Sequence, residues 1–237
     1  MTKPVAPEHP VRLLVTGFGP YPGVPANPTG VLARGIAASP RLRLAGIGSK
    51  AKVFETTYAG IGKALGKALE RGNPDVCLHL GLAPRARQVR IEVRAENRAR
   101  PLAPDASGAR PASRAIVPSG PADWRTPVSV PPVVAALRRA GVAAAASRDA
   151  GAYLCNAVYG LSLDAARCRQ GRLVLFVHIP RPAPPAGRLP SPPARLRARA
   201  KPRLDPPAAA ATGVATPLRA GAPTTPAPPS APTPRAP

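Results

Sequence analysis

Up to residue 180, short apolar runs alternate with segments of helical periodicity. Residues 11–17 form a run of β-branched residues and leucine that enters a Gly- and Pro-rich loop, as is typical of a buried strand ahead of a functional turn. A helix is predicted over 28–38, with Asn27 as N-cap and Pro28 at the first helical position. The same reasoning predicts extended segments at 52–58, 75–80, 89–93, 142–146 and 173–177 and helices at 59–71, 131–140 and 153–167.

This alternation predicts an α/β domain at residues 11–180, organised as a three-layer α/β/α sandwich around a twisted sheet that is mostly parallel or mixed. Residues 1–10 are expected to form a flexible N-terminus. Residues 98–128 are rich in Pro, Ala and Ser, so we expect a long surface loop there. With 237 residues, the chain is long enough for one domain and a tail.

The composition changes abruptly after Pro180. Residues 181–237 are dominated by Pro, Ala, Arg and Thr and contain one acidic residue, Asp205. Such a segment buries too little apolar surface to offset the entropy of ordering it, so we expect disorder or polyproline II structure. Two origins stay open: a genuine basic tail that binds acidic partners, or an out-of-frame translation that has replaced a closing helix.

The net charge of +23 is of the kind that directs attention to nucleic acids or membrane surfaces. The arginines, however, are scattered among Ala, Pro and Gly, only 3% of the residues are aromatic, and we find no nucleic-acid-binding motif. We therefore expect non-specific binding to polyanions at low salt, but no specific nucleic-acid partner.

Cysteine usage and the terminal sequence bear on the cellular compartment. The three cysteines lie in separate segments without CxxC spacing, which favours a reducing compartment over a disulfide framework or a structural zinc site. The N-terminal residues lack an apolar core of the signal-peptide type, and no apolar run approaches the length of a membrane span. The sequence thus predicts a soluble, cytoplasmic protein with no membrane partner, metal or cofactor.

Three residue types suggest chemistry. Cys155 lies at a predicted helix start, where the helix dipole and the free N–H groups of the first turn favour a thiolate. His178 follows the run 173–177, and Glu92 lies in the extended run 89–93; a thiol, a base and an orienting carboxylate are the components of a thiol hydrolase. Structural interpretations also stay open: a core thiol, a strand-end histidine and an acidic member of a surface ion-pair strip.

Because ligands collect at the carboxyl ends of strands in open sheets, we expect Cys155, His178 and the 17–20 loop to converge at one edge. The motifs, in chain order, are VTGFGPY at 15–21 with NPT at 27–29, DVCLHLGLA at 75–83, RIE at 90–92 with Ala95 and Asn97, and GAYLCN at 151–156 with VHIP at 177–180.

These segments resemble the pyroglutamyl-peptidase I (pyrrolidone carboxyl peptidase) family of cysteine peptidases. The resemblance covers residues 11–180 and implies that Glu92, Cys155 and His178 form a catalytic triad. It implies removal of an N-terminal pyroglutamyl residue from a peptide through an acyl-enzyme. Family members often associate, so a homo-oligomer stays open.

The resemblance also implies a pocket for a small, mostly apolar lactam. Phe18 and Tyr21 are the expected walls, and Asn27 and Leu82 are further substrate-binding positions. The family commonly carries glutamine where this chain has Leu82, and leucine cannot make the corresponding amide hydrogen bond. The segment after Asn97 departs from the family pattern as well.

The family normally ends with an amphipathic helix packed on the sheet, which residues 181–237 do not resemble. Three functional classes therefore stay open. The first, which we favour because all three catalytic residue types occupy matching positions, is an active cysteine peptidase. The second is a catalytically impaired homologue that lacks the closing helix and leaves an apolar sheet face beside His178 uncovered. The third is a basic interaction protein that acts through its tail.

Overall fold

Strands and helices alternate through the part of the chain that this computed structural model describes, residues 9–99 and 104–182. In chain order, the elements are β1 (Arg12–Phe18), α1 (Pro28–Ala37), α2 (Pro40–Leu44), β2 (Gly48–Phe54), α3 (Tyr58–Gly72), β3 (Val76–Leu82), β4 (Val89–Glu92), β5 (Arg94–Glu96), β6 (Asp123–Arg125), α4 (Val130–Arg139), β7 (Ala144–Ser147), α5 (Leu154–Arg167) and β8 (Leu173–Ile179). Most of the predicted flexible N-terminus and nearly all of the predicted tail lie outside the described residues.

A six-stranded sheet forms the centre, in the order β2-β1-β3-β8-β4-β7. The first four of these strands are parallel, whereas β4 is antiparallel to β8 and parallel to β7. Strands β5 and β6 form a separate antiparallel pair. The predicted mixed, mostly parallel sheet is confirmed.

Helices cover both faces of this sheet, as the three-layer prediction requires. On one face, Leu65 of α3 and Leu163 of α5 join Phe176 of β8 in the largest apolar cluster. On the other face, α1 and α4 are held by two smaller clusters that contain Val15, Ala33, Leu80, Ile91, Val130 and Val134. The alternation of Leu14 and Val15 between the two faces follows the two-residue period of a strand.

The edge strand β2 shows why one predicted boundary was wrong. It spans Gly48–Phe54 and not 52–58, because its first residues pair with β1 from Arg12 onward although most of them are exposed and two are lysines. An edge strand carries such residues without an apolar pattern that would reveal it. The short helix α2 has no buried residue and was not predicted.

The segment predicted as a long surface loop, 98–128, is in part ordered into the fold. Strand β6 lies within it and pairs with β5, and Trp124 at its centre is buried with Nε1 donating to Asp164 Oδ1 at 3.0 Å. The carboxylate of Asp105, also buried, accepts hydrogen bonds from the backbone N–H groups of Tyr58, Ser107 and Ala109. These contacts fasten the segment to the start of α3.

Hydrogen bonds between charged side chains connect the strands at one end of the sheet. Asp75, at the turn before β3, accepts hydrogen bonds from the backbone and guanidinium of Arg12 and from Arg169. Burial alone would raise the pKa of Asp75, but these bonds outweigh it and hold the pKa well below its usual range. In the described part of the chain, no helix is long and apolar enough to span a membrane.

Candidate active site

Cys155 is the second residue of helix α5. The helix begins at Leu154, one residue later than predicted, with Tyr153 as an extended N-cap residue whose side chain makes no capping hydrogen bond. The first N–H groups of a helix have no intrahelical partner, and the helix dipole is positive at this end. The half-buried thiol of Cys155 therefore lies where an anion is stabilised.

Gly81 allows the thiol to lie directly over the sheet. A Cβ built on Gly81 would lie 2.9 Å from Sγ of Cys155 and 2.7 Å from the Phe176 ring, closer than real Cβ contacts come. In the β3–β8 register, Gly81 is also the partner of His178. Sequence reasoning quoted Gly81 only as part of a motif, although a glycine inside a buried apolar strand often marks such a close approach.

His178 and Glu92 form a buried pair. Nδ1 of His178 donates to Oε1 of Glu92 at 2.9 Å, and the two side chains are 8% and 0% exposed. The interpretation of Glu92 as a member of a surface ion-pair strip is therefore wrong. His178 was predicted to follow the last strand, but β8 continues to Ile179 and includes it, because Gly81 and Leu82 of β3 extend the pairing.

The strand directions explain how this pair meets. Because β4 is antiparallel to β8, Glu92 at the end of β4 lies opposite Phe176, two residues before His178. The hydroxyl of Tyr159 on α5 donates to the backbone carbonyl of Glu92 at 2.8 Å. Tyr159, which sequence reasoning did not single out, thus ties the cysteine helix to the carboxylate strand.

The proton affinity of His178 follows from its neighbours. Burial by itself lowers the pKa of this imidazole, but hydrogen bonds with Cys155 and Glu92, together with their negative charges, outweigh it and raise the pKa to about 9. Since Nδ1 is occupied by Glu92, Nε2 is the nitrogen left for Cys155. The arrangement favours a charged imidazolium between two acidic groups.

A cavity of about 230 Å³ opens beside Cys155 and His178. The four residues predicted to bind substrate all line it: Phe18, Tyr21, Asn27 and Leu82. Sequence reasoning did not single out Thr56, Arg90 and Asp149, which also line it. Glu92 does not line the cavity and touches the site through His178.

Asn27 shapes the wall of this cavity as well as lining it. Its Nδ2 donates to the carbonyl of Gly19 at 3.0 Å, and its Oδ1 accepts from the backbone N–H and the hydroxyl of Thr29. The Thr29 hydroxyl in turn accepts from the N–H of Phe18. These bonds fix the loop that carries Phe18, and they confirm Asn27 as the N-cap of α1.

Tyrosines form one side of the site. The ring of Tyr153 packs edge-on against Tyr58 and at 6.3 Å from the ring of Tyr21. Burial raises the pKa of Tyr58 and of Tyr153 to about 12, so both phenols are neutral. The Tyr153 hydroxyl donates to the carbonyl of Pro104, which links the site to the segment that Asp105 anchors.

The other cysteines and His79 lie away from this chemistry. His79 is fully buried, within 2.8 Å of the Thr16 hydroxyl, and burial lowers its pKa to about 3. Burial also raises the pKa of Cys77 to about 11, while Cys168 is exposed. No group of three or more potential metal ligands occurs among residues 9–99 and 104–182.

Comparison with known proteins identifies relatives of this arrangement. The family model for pyroglutamyl peptidase matches residues 11–186. A pyrrolidone-carboxylate peptidase from Streptomyces coelicolor is 38% identical over 63% of this chain and 68% of its own length. Its counterpart from Pyrococcus furiosus is 30% identical over 72% of this chain and 81% of its own length.

Solved structures agree with the sequence relatives. A variant of pyrrolidone carboxyl peptidase from Pyrococcus furiosus superposes with a TM-score of 0.66 at 30% identity, covering 72% of this chain and 81% of that one. Pyroglutamyl peptidase I from Bacillus amyloliquefaciens gives a TM-score of 0.64 at 26% identity, covering 72% and 82%. The chain therefore belongs to the pyroglutamyl peptidase family of enzymes.

Proposed function

We propose that this chain is a cysteine peptidase that removes an N-terminal pyroglutamyl residue from peptides. In this proposal Cys155 is the nucleophile, His178 the general acid and base, and Glu92 the positioning carboxylate, all within residues 11–180. The observation that carries it is the buried 2.9 Å contact between His178 and Glu92, with Cys155 lining the same cavity as His178. The family membership supports the same reaction.

The first half-reaction forms an acyl-enzyme. The Cys155 proton passes to Nε2 of His178, and the thiolate attacks the carbonyl carbon of the pyroglutamyl residue. The N–H groups at the start of α5 point to where the oxyanion develops and stabilise it. As the C–N bond breaks, His178 gives the proton to the leaving amine, and a thioester to Cys155 remains.

The second half-reaction restores the enzyme. His178, now neutral, takes a proton from water, and the hydroxide attacks the thioester carbonyl. The C–S bond breaks, pyroglutamate leaves, and the proton returns to the Cys155 sulfur. Glu92 holds the Nδ1–H tautomer and stabilises the imidazolium.

The cavity fits the substrate class in size and polarity. A space of about 230 Å³ accommodates a five-membered lactam, with Phe18 and Leu82 supplying apolar contact. Leu82 is 8% exposed and offers no hydrogen bond to the lactam amide. Recognition of the ring in this chain therefore relies on shape and on backbone groups more than on a side-chain amide.

The test is release of a fluorophore from a pyroglutamyl-amide substrate by the full-length chain in reducing buffer. We expect activity in the parent and in Cys168→Ser, whose thiol is exposed, and none in Cys155→Ser. A prolyl-amide substrate of the same fluorophore should be cleaved far more slowly. Activity that survives Cys155→Ser would refute the proposed nucleophile.

A further inference from the structure

A second cavity lies along the open edge of the sheet. This groove of about 720 Å³ runs between the edge strand β2 and helix α3. It shares no lining residue with the cavity at Cys155. Six of its lining residues are cationic and none is acidic: Arg12, Lys50, Lys52, Lys63, Lys67 and Arg71.

The cations form two rows that face each other. Lys63, Lys67 and Arg71 are four residues apart on α3, so they lie on one side of the helix at intervals of about 6 Å. Lys50 and Lys52 alternate on β2, about 6.6 Å apart and on one face. Lys50 is the register partner of Leu14 on β1, and the side chain of Leu14 packs with α3. The two lysines therefore lie on the face of the sheet that α3 covers.

Most of this charge is not neutralised within the fold. In the described part of the chain, only Arg12 of the six forms an ion pair, with Asp75 at one end of the groove. The other five side chains are exposed, and no described carboxylate lies within salt-bridge distance of them. Exposed like charges that converge on one concave surface attract an anion strongly.

The groove also offers backbone hydrogen bonds and an apolar floor. The N–H of Gly48 donates to the carbonyl of Val11, and the carbonyl of Phe54 accepts from the N–H of Gly19. The backbone groups of alternate β2 residues, from Gly48 to Phe54, therefore point toward β1. The N–H and C=O groups of the intervening residues, Ser49, Ala51 and Val53, therefore point to the open edge. Leu14, Ala64 and Ala68 form part of the floor.

We propose that this groove binds an extended acidic peptide segment of a partner protein, which adds to β2 as a further strand. Alternate carboxylates of an extended chain repeat at about 6.6 Å and match the spacing of both cationic rows. Lysines on an edge strand oppose its pairing with neutral or basic chains, because the charges would be desolvated or would repel each other. An acidic strand forms ion pairs with these lysines instead.

Two other occupants fit the groove less well. No aromatic residue lines it, so a single-stranded nucleic acid finds phosphate contacts but no surface on which bases stack. Residues 183–237 of the chain contain a single acidic residue, Asp205, so their sequence does not supply the series of carboxylates that six cations require. An acidic segment of a partner protein can pair with the cations, form hydrogen bonds with the open edge of β2 and contact the apolar floor.

The test measures binding of a labelled peptide of alternating Glu and Thr to the full-length protein. Lys63→Glu/Lys67→Glu is compared with Arg41→Glu/Arg43→Glu, which changes the net charge equally on exposed residues outside the groove. We expect the groove variant to weaken binding at least about tenfold and the control variant less than about twofold at physiological salt. Equal losses in both variants would overturn the proposal.

Two further measurements address the mode of binding. A peptide N-methylated at alternate amides should lose its affinity, and amide exchange in the parent should slow at residues 49–53 when the unmodified peptide binds. Tighter binding of an oligouridylate of equal length, abolished by the same groove variant, would assign the groove to nucleic acid instead. Peptidase activity and melting temperature, measured for both variants, show that the fold is kept and that the groove acts independently of Cys155.

Discussion

The sulfur of Cys155 lies so close to the backbone of Gly81 that a methyl group at residue 81 would collide with it. A Cβ at Gly81 would lie 2.9 Å from Sγ. Since Gly81 is also the register partner of His178, the backbone of β3 forms the surface on which thiol and imidazole meet. The missing side chain at this position is thus part of the geometry of the site.

Gly81→Ala should therefore impair catalysis more than folding. The added methyl group must displace either Cys155 or the Phe176 ring, and displacement of a nucleophile by about 1 Å costs on the order of 100-fold in rate. Overpacking of this kind lowers the free energy of unfolding by about 1–3 kcal/mol. Steady-state kinetics and thermal unfolding of the same preparation separate the two effects.

Gly66→Ala is the matched control. Gly66 lies inside α3, and a Cβ there meets nothing within 4 Å. We expect unchanged kinetics and a gain of about 0.5–1 kcal/mol in stability, because alanine favours the helix. Equal kinetics in the Gly81 and Gly66 variants would contradict the role assigned to the Gly81 contact.

Leu82→Gln should improve recognition of the lactam. Leu82 lines the cavity, and glutamine at this position can hydrogen-bond the ring amide. A net gain of about 0.5–1.5 kcal/mol corresponds to roughly a two- to tenfold rise in kcat/KM for a pyroglutamyl substrate. Leu82→Met, which adds no hydrogen bond, should leave kcat/KM unchanged; an equal rise in both variants would attribute the gain to shape.

Glu92→Gln should lower the pKa of His178. Burial opposes the rise of that pKa to about 9, and Cys155 and Glu92 both support it; removal of the Glu92 charge leaves Cys155 as the remaining support, so the pKa falls. In the parent, the stability that the protonated His178 contributes is complete below pH 6.5 and is lost as the pH rises through about 9. In Glu92→Gln the folded-state pKa is lower, so this loss should be smaller and should end at lower pH.

Proton NMR of the His178 ring measures this pKa directly. Glu96→Gln serves as the control, because Glu96 pairs with Arg94 and Arg98 and not with His178. We expect its His178 titration to match that of the parent. An unshifted titration in Glu92→Gln would show that the carboxylate does not govern the imidazole.

His79 should make the fold sensitive to acid. Burial lowers its pKa from 6.5 to about 3, so between these values the unfolded chain takes up a proton that the folded chain excludes. Stability therefore falls as the pH drops through this window, by up to about 1.4 kcal/mol per pH unit. Denaturant titrations at a series of pH values should show that the free energy of unfolding depends less steeply on pH in His79→Gln than in the parent.

The sequence patterns located most of the helices and the residues of the site. Helix α3 was readable because Ile61, Leu65 and Leu69 repeat every four residues and are the residues it buries. Cys155, His178 and four of the residues that line the cavity could be identified because they lie in motifs with specific spacing. A local sequence pattern is enough for a prediction where the feature depends on a single helix or motif.

Features that depend on pairing between distant segments could not be predicted in this way. Nothing within Val89–Glu92 indicates that β4 runs against β8, yet this direction sets where Glu92 lies. The three-residue strands β5 and β6 are too short to show a period, and Asn156 of α5 holds β5 in place by bonding to Glu96 and Arg98. Such elements owe their form to tertiary contacts.

The position of β8 has a consequence for biosynthesis. It is the last described strand to be translated, yet it is inserted between β3 and β4 in the middle of the sheet. Until β8 has been synthesised, the strands β2-β1-β3 and β4-β7 cannot join into one sheet. Glu92 also lacks its hydrogen-bond partner His178, which lies 86 positions downstream. A nascent or prematurely terminated chain that ends before β8 therefore contains Cys155 and Glu92 but not His178. The proposed hydrolase is inactive until β8 has been synthesised.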